Sequence, residues 1–167
     1  LGIKAGTPFY QLCQQLPGVK IEAFSSNYEL YGEMTGRVMN IIRDMAPMCF
    51  RYSIDEAFAI LDGFAPNQLK QWGTQLHDRV LQSVGMPVSI GIAPTKTLAK
   101  MASHFAKKHP GYNHCCIIDT DERRIKALRL YPIDEVWGIG RRYAARLSSM
   151  GINTAYDFAS HSGTWVH

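Results

Sequence analysis

Apolar residues recur every three or four positions over three long stretches of this chain. Over four short stretches they alternate with polar ones or run together. The three- and four-residue spacing is that of a helix with one buried face. It predicts helices from about Tyr28 to Ala46 (Tyr31, Met34, Val38, Ile41, Ile42, Met45), Asn67 to Ser83 (Leu69, Trp72, Leu76, Val80) and Lys96 to Lys108 (Leu98, Met101, Ala102, Phe105). Pro47 ends the first, because the residue before a proline is pushed out of helical backbone. The short runs 48–52, 57–61, 88–92 and 115–118 read as strands, and the first two flank Ser53-Ile54-Asp55-Glu56 as a hairpin with acids near its turn. Ahead of these, residues 1–27 read as the end of a small helical element, with turns at Gly6-Thr7-Pro8 and Pro17-Gly18. From Asp119 onward the pattern is helical only, in three short helices interrupted by a Gly-x-Gly turn at Gly138 to Gly140. The expected fold is therefore α+β, a sheet domain followed by a small all-α domain.

Composition narrows this picture only slightly. A chain of 167 residues makes one medium domain or two small ones. With 46% hydrophobic and 19% charged residues it has the make-up of a soluble globular protein, not of a disordered segment. No apolar run approaches the roughly 20 residues a membrane helix requires. The start shows no signal-peptide pattern and no initiator Met, so the chain reads as a fragment beginning in mid-domain. Cys13, Cys49, Cys115 and Cys116 form no C-x-x-C pair, which argues against structural zinc. Cys115 and Cys116 would point to opposite faces of a strand as reduced thiols of a cytosolic protein.

Charge changes the picture more. Residues 1–93 carry net −1, residues 94–151 net +6, and residues 152–167 net −1. Positive potential concentrated in one stretch suits a polyanionic partner, although a solvated basic face produces the same count.

Two short motifs carry candidate chemistry. Asp55 and Glu56 adjoin within an apolar run, where ionised groups are costly to bury. A hard cation such as Mg²⁺ would remove their repulsion and use their oxygens as ligands. The dipeptide by itself is equally an exposed, solubilising hairpin tip. Gly138-Ile139-Gly140 allows a tight turn, and a helix starting after it would aim free N–H groups at a phosphate, with Arg141, Arg142 and Arg146 nearby. The alternative is a plain packing corner. Trp72 and Trp137 read as core, and the histidines show no metal-ligand spacing.

Ser53-Ile54-Asp55-Glu56-Ala57-Phe58 resembles the catalytic-hairpin motif of the Y-family translesion DNA polymerases, most closely their UmuC subgroup. Leu1-Gly2-Ile3-Lys4-Ala5-Gly6 is similar to the family's fingers segment. Phe24 to Tyr31 (FSSNYELY) is similar to its fingers-to-palm transition, Val88 to Lys100 to the next palm strand and helix, and Val136 to Arg142 (VWGIGRR) to its thumb. The resemblance implies a palm-type antiparallel or mixed sheet with helices on one face, its first strand missing, then an all-α thumb with a helix-hairpin-helix. Residues 1–27 would be the end of the fingers, 28–118 an incomplete palm and 119–167 the thumb. It implies error-prone, lesion-bypassing, template-directed DNA synthesis in the SOS response to DNA damage, with two Mg²⁺ ions in the complete parent. Asp55 would bridge both ions and Glu56 would bind the one that activates the primer 3′-hydroxyl. Lys107, in Phe105-Ala106-Lys107, would contact the incoming triphosphate, although Lys108 beside it leaves the position open by one residue and a solvated helix end is the alternative. Lys96, Gly138, Gly140, Arg141 and Arg142 would meet DNA. Primer-template DNA, a dNTP, a UmuD-type accessory subunit and a sliding clamp are the implied partners, and the bacterial cytoplasm and nucleoid the implied location. The family's other metal-binding aspartate, its ribonucleotide-excluding aromatic residue and its little finger are expected to lie outside this chain. A rival reading is a non-catalytic DNA-backbone-binding module that keeps the fold.

Overall fold

The computed structural model describes residues 2–3 and 6–166. Leu1, Lys4 and Ala5 of the segment read as fingers lie outside them. A short helix α1, Phe9–Gln15, follows Pro8. Helix α2, Tyr28–Met45, starts where the Asn27 side chain accepts the Leu30 N–H at 3.0 Å, and its C-cap Ala46 is already extended ahead of Pro47. Strands β1, Met48–Arg51, and β2, Ala57–Ile60, form an antiparallel hairpin with Phe50 opposite Phe58. Helix α3, Pro66–Val84, has proline in its first turn and stops at Gly85, whose φ of +74° suits glycine. Strand β3, Ile90–Ile92, leads into helix α4, Lys96–Lys108, capped by the Thr95 hydroxyl. Strand β4, Cys115–Ile117, then pairs parallel to β3. The rest is helical: α5, Asp121–Leu130; a 3-10 turn at Ile133–Glu135; α6, Arg141–Ser149; α7, Ala155–Ala159; and α8, Gly163–Val166. That is four helices after Asp119, one more than the periodicity predicts, because α8 is a single turn too short to show a period. No helix among the described residues is long and apolar enough to cross a membrane.

The sheet departs from expectation in two ways. Among the described residues the strands form two separate two-stranded sheets, β1-β2 and β3-β4, instead of one. Both rest on one helical layer. Ala59 and Leu61 from the hairpin side, and Val88, Ile90 and Ile92 from the other, pack against Ile41, Ala46, Trp72, Leu76 and Val80 of the α2/α3 side. Helices also cover both faces of the β3-β4 pair, not one. Ile90 and Cys115 approach Gly73 of α3, while Gly91 faces α4 so closely that a Cβ there would overlap the Ala99 carbonyl and the Ser103 amide. The strand period of two makes this inevitable: successive residues face opposite layers. Cys115 and Cys116 follow suit, one toward Gly73 and the other into the cluster of Met101, Ala102, Phe105 and Ala127. Burial raises the pKa of both thiols, so both stay protonated. That second cluster also takes in Leu128, Tyr131 and Ala155, so the C-terminal helices are seated on α4 and share a core with it.

Toward the N-terminus the apolar pattern is not matched by burial. Tyr31, placed on the buried stripe of α2 by spacing, is 44% exposed, as are Phe24 (86%) and Tyr28 (67%). Helix α2 is buried only in its second half, at Met39 and Ile41.

Candidate functional site

The hairpin turn is built by its own backbone. Tyr52 and Ser53 N–H groups donate to the Glu56 carbonyl at 2.9 and 3.1 Å, closing the loop between β1 and β2. Thr35 of α2 donates its hydroxyl to the Ile54 carbonyl, tying the turn to the helix layer. The Ser53 hydroxyl donates to Asp55 Oδ1 at 2.7 Å. Asp55 and Glu56 are both exposed. They sit outside the strands, so their side chains carry no burial penalty that a cation must relieve, and the desolvation argument made from the sequence does not apply. What remains is the donor set, two hard carboxylates side by side on a fixed turn. That set fits part of a Mg²⁺ shell, in which water commonly fills other positions. No group of three or more His, Cys, Asp or Glu side chains is placed for a metal among the described residues.

Helix α4 faces this turn with a row of lysines. Lys100 Nζ donates to Glu56 Oε1 at 2.7 Å. Lys96 Nζ lies 4.6 Å from the centre of the Phe50 ring and 5.4 Å from that of Phe58, on the hairpin face opposite Ala59. Lys107 stands seven residues beyond Lys100, two turns and about 10.5 Å along the same side of the helix. It is exposed and in no ion pair among the described residues, whereas Lys108 reaches Glu135 at 3.6 Å. The two neighbours therefore differ: Lys108 is engaged and Lys107 is free.

In the C-terminal part, Gly138 has φ +94°, a conformation that favours glycine. Gly140 does not need to be glycine on this ground: it is extended at φ −80° and ψ 166°, with open space where a Cβ would be. It is the N-cap of α6, whose first turn holds Arg141 and Arg142 and no acid. Arg141, Arg142 and Arg146 are exposed and in no ion pair among the described residues. The helix start is thus a positive end with free N–H groups and no internal anion.

The hairpin turn and the glycine turn meet through Trp137. Its indole N–H donates to the Tyr52 hydroxyl at 3.0 Å, and its ring packs edge-on to Tyr52 and tilted on Phe58. Reading Trp137 as core was wrong: it is 37% exposed and bridges two parts of the chain, while Trp72 is buried at 7% as expected. Sequence reasoning also gave no role to Tyr52 or Lys100. Their helical and strand positions were legible, but the contact spans 85 residues and only the fold supplies it. His77 is buried, with Nδ1 2.7 Å from the Val88 carbonyl, and stacks on His114, a packing role.

A sequence model described as the impB/mucB/samB family matches residues 1–104. The chain belongs to that family. Among curated relatives, UmuC of Salmonella typhimurium is 39% identical over 168 residues, 99% of this chain and 40% of its own length. MucB of Escherichia coli is 36% identical over 159 residues, 95% of this chain and 38% of its own. A DNA polymerase IV 2 of Mesorhizobium japonicum is 33% identical over 97% of this chain. The chain thus spans about 40% of the length of curated relatives that it matches. Among solved structures, the insertion ternary complex of Dbh DNA polymerase superposes with a TM-score of 0.76 at 27% identity, over 99% of this chain and 47% of that one. DinB from Sulfolobus solfataricus gives 0.75 at 27%. The resemblance stated from the sequence is upheld, and the family's α+β fold is present here with its small sheets.

Proposed function

We propose that this chain is the palm-and-thumb portion of an error-prone, lesion-bypassing DNA polymerase acting in the SOS response, and that Asp55 and Glu56 are two of its metal-binding carboxylates. The observation that carries the reading is the adjacent pair on a pinned hairpin turn, faced by a row of lysines and next to an uncompensated helix N-terminus. The family membership and the polymerase named in the superposed ternary complex support it.

In this reading the two carboxylates hold Mg²⁺, two ions in the complete protein, which supply charge stabilisation to the attacking and leaving oxygens of nucleotidyl transfer. The Ser53 hydroxyl fixes the Asp55 carboxylate by donating to Oδ1 at 2.7 Å. Lys107 presents an unpaired ammonium to the triphosphate, where a compact donor charge offsets what develops as pyrophosphate leaves. Gly138, Gly140, Arg141 and Arg142 form a helix-hairpin-helix that takes the duplex backbone without reading bases. Lys96, resting on Phe50 and Phe58, remains exposed enough to meet a phosphate as well. The exposed aromatic residues around Tyr28 suit fingers supplied by the rest of the protein, and the two separate sheets leave the first palm strand to it as well. Residues 1–27 are then the end of the fingers, 28–118 the palm and 119–167 the thumb. A UmuD-type subunit, a sliding clamp and a place in the bacterial cytoplasm at the nucleoid belong to the same reading and rest on the resemblance.

One observation favours the non-catalytic rival for the chain taken alone: no third metal-binding acid joins the pair among the described residues. Primer extension decides. The full-length protein bearing this segment should extend a primed template with Mg²⁺, and the 167-residue chain should not. No extension by the full-length protein would leave the rival standing, and metal-independent extension would overturn the reading of Asp55 and Glu56 as metal ligands.

A further inference from the structure

Trp137 immediately precedes the glycine turn, yet its ring lies against the hairpin. The centroids of Trp137 and Tyr52 are 5.4 Å apart with planes at 87°. Lys100 sits beside both. Its Nζ is 5.2 Å from the Tyr52 ring and 5.4 Å from the Trp137 ring, while it donates to Glu56 Oε1 at 2.7 Å. One ammonium is therefore held by three groups: a ring from the hairpin, a ring from the segment leading into α6, and the carboxylate. The lysine side chain is only 24% exposed, against 45% for its glutamate partner.

A four-carbon stem is free to take many rotamers, so a lysine reaches a fixed point only where its surroundings confine it. Here the confinement comes from two aromatic faces, which attract the cation and exclude alternatives. One face is fixed to the hairpin, because the Tyr52 N–H donates to the Glu56 carbonyl. The other face, Trp137, is joined directly to the glycine turn, so a change in the turn's position would carry the ring with it. Displacing that ring would remove one of the two faces that confine the ammonium, and with it part of what orients the donor to Glu56. Conversely, a cation that claimed Oε1 would displace the ammonium and alter the surroundings of the indole.

We propose that Lys100 and Trp137 form a relay that links the orientation of the Glu56 carboxylate to the position of the glycine turn, making Trp137 a positioning residue for the acidic pair. The proposal rests on the reading of that pair as metal ligands only in its Mg²⁺ arm. If the pair does bind metal, the turn that grips DNA and the carboxylates that serve chemistry report on each other through one lysine.

The indole N–H resonances of the intact chain test this without an activity assay. Trp72, Trp137 and Trp165 give three signals, and Trp137→Phe identifies that of Trp137 by its loss. Glu56→Gln alters the far end of the relay at an exposed site. It should shift the Trp137 signal and leave those of Trp72 and Trp165 in place. In a Lys100→Met background the same Glu56→Gln change should do nothing further, because members of one chain of contacts are not additive. A Trp137 signal blind to Glu56→Gln, or one that still responds when Lys100 is absent, overturns the relay. Mg²⁺ titrated into the unaltered chain should move the same signal, and Lys100→Met should abolish the response. If Mg²⁺ moves the Asp55 and Glu56 amides but not Trp137, the relay is wrong. If Mg²⁺ moves none of them while the Glu56→Gln shift persists, the relay stands and the metal reading fails.

Discussion

Replacing Arg141 and Arg142 together by alanine should change how DNA binding responds to salt more than it changes the fold. Both side chains are exposed in the first turn of α6 and neither is ion-paired among the described residues, so their removal leaves no buried partner behind. Each phosphate neutralised on duplex DNA contributes about −0.9 to the slope of log K against log salt. Two lost contacts would flatten the slope by about 1.8. Between 50 and 200 mM salt that difference amounts to a roughly 12-fold smaller loss of affinity for the variant than for the original. The free N–H groups after Gly140 survive the substitution, so residual binding should persist at low salt, and duplexes of different sequence should behave alike. Fluorescence anisotropy of a labelled duplex, titrated at several salt concentrations starting low, measures both slopes. An original slope near zero, or a variant slope unchanged from it, would refute the argument and leave the glycine turn as a packing corner.

Two further predictions concern the scaffold. Gly91→Ala would drive a methyl into the Ala99 carbonyl and the Ser103 amide, backbone atoms that cannot swing aside; it should cost at least about 1–3 kcal/mol and show as a lowered thermal midpoint, and an unchanged midpoint would mean that α4 can shift freely on β3. His104 lies 3.3 Å from Glu135, but burial, then Lys108, hold its pKa below 6.5, so at pH 7 the imidazole is mostly neutral and the contact is not an ion pair. The unfolded chain then binds the proton more readily, and stability should fall as pH drops below about 6.5, less so in His104→Gln; identical acid profiles for the two proteins would count against it.

Much of the fold was legible because its signals are local. The period of α3 and α4, Pro47 and the hairpin around Asp55 are each set by neighbours within a few residues. The candidate residues of the site were legible for the same reason, as short motifs. What the sequence hid is what arises between distant segments. The exposure of Asp55 and Glu56 depends on the turn lying outside the strands. The engagement of Lys108 by Glu135, which singles out Lys107, needs the 3-10 turn to fold back onto α4. Trp137 has apolar neighbours in sequence that look like core, and only the docking of the C-terminal helices on α4 carries it to Tyr52. Tyr31 errs the other way: its spacing marks a buried stripe, but no described residue covers that end of α2.

The central claim is that Asp55 and Glu56 serve chemistry and not merely solubility. Single-turnover primer extension by the full-length protein, carrying Asp55→Asn or Glu56→Gln, tests it most directly. Each change removes one negative charge at an exposed turn and should spare both the fold and duplex affinity. The account predicts that each slows extension by at least about 1,000-fold at saturating Mg²⁺, equivalent to about 4 kcal/mol of barrier. Extension by either variant at near-original rate would contradict it.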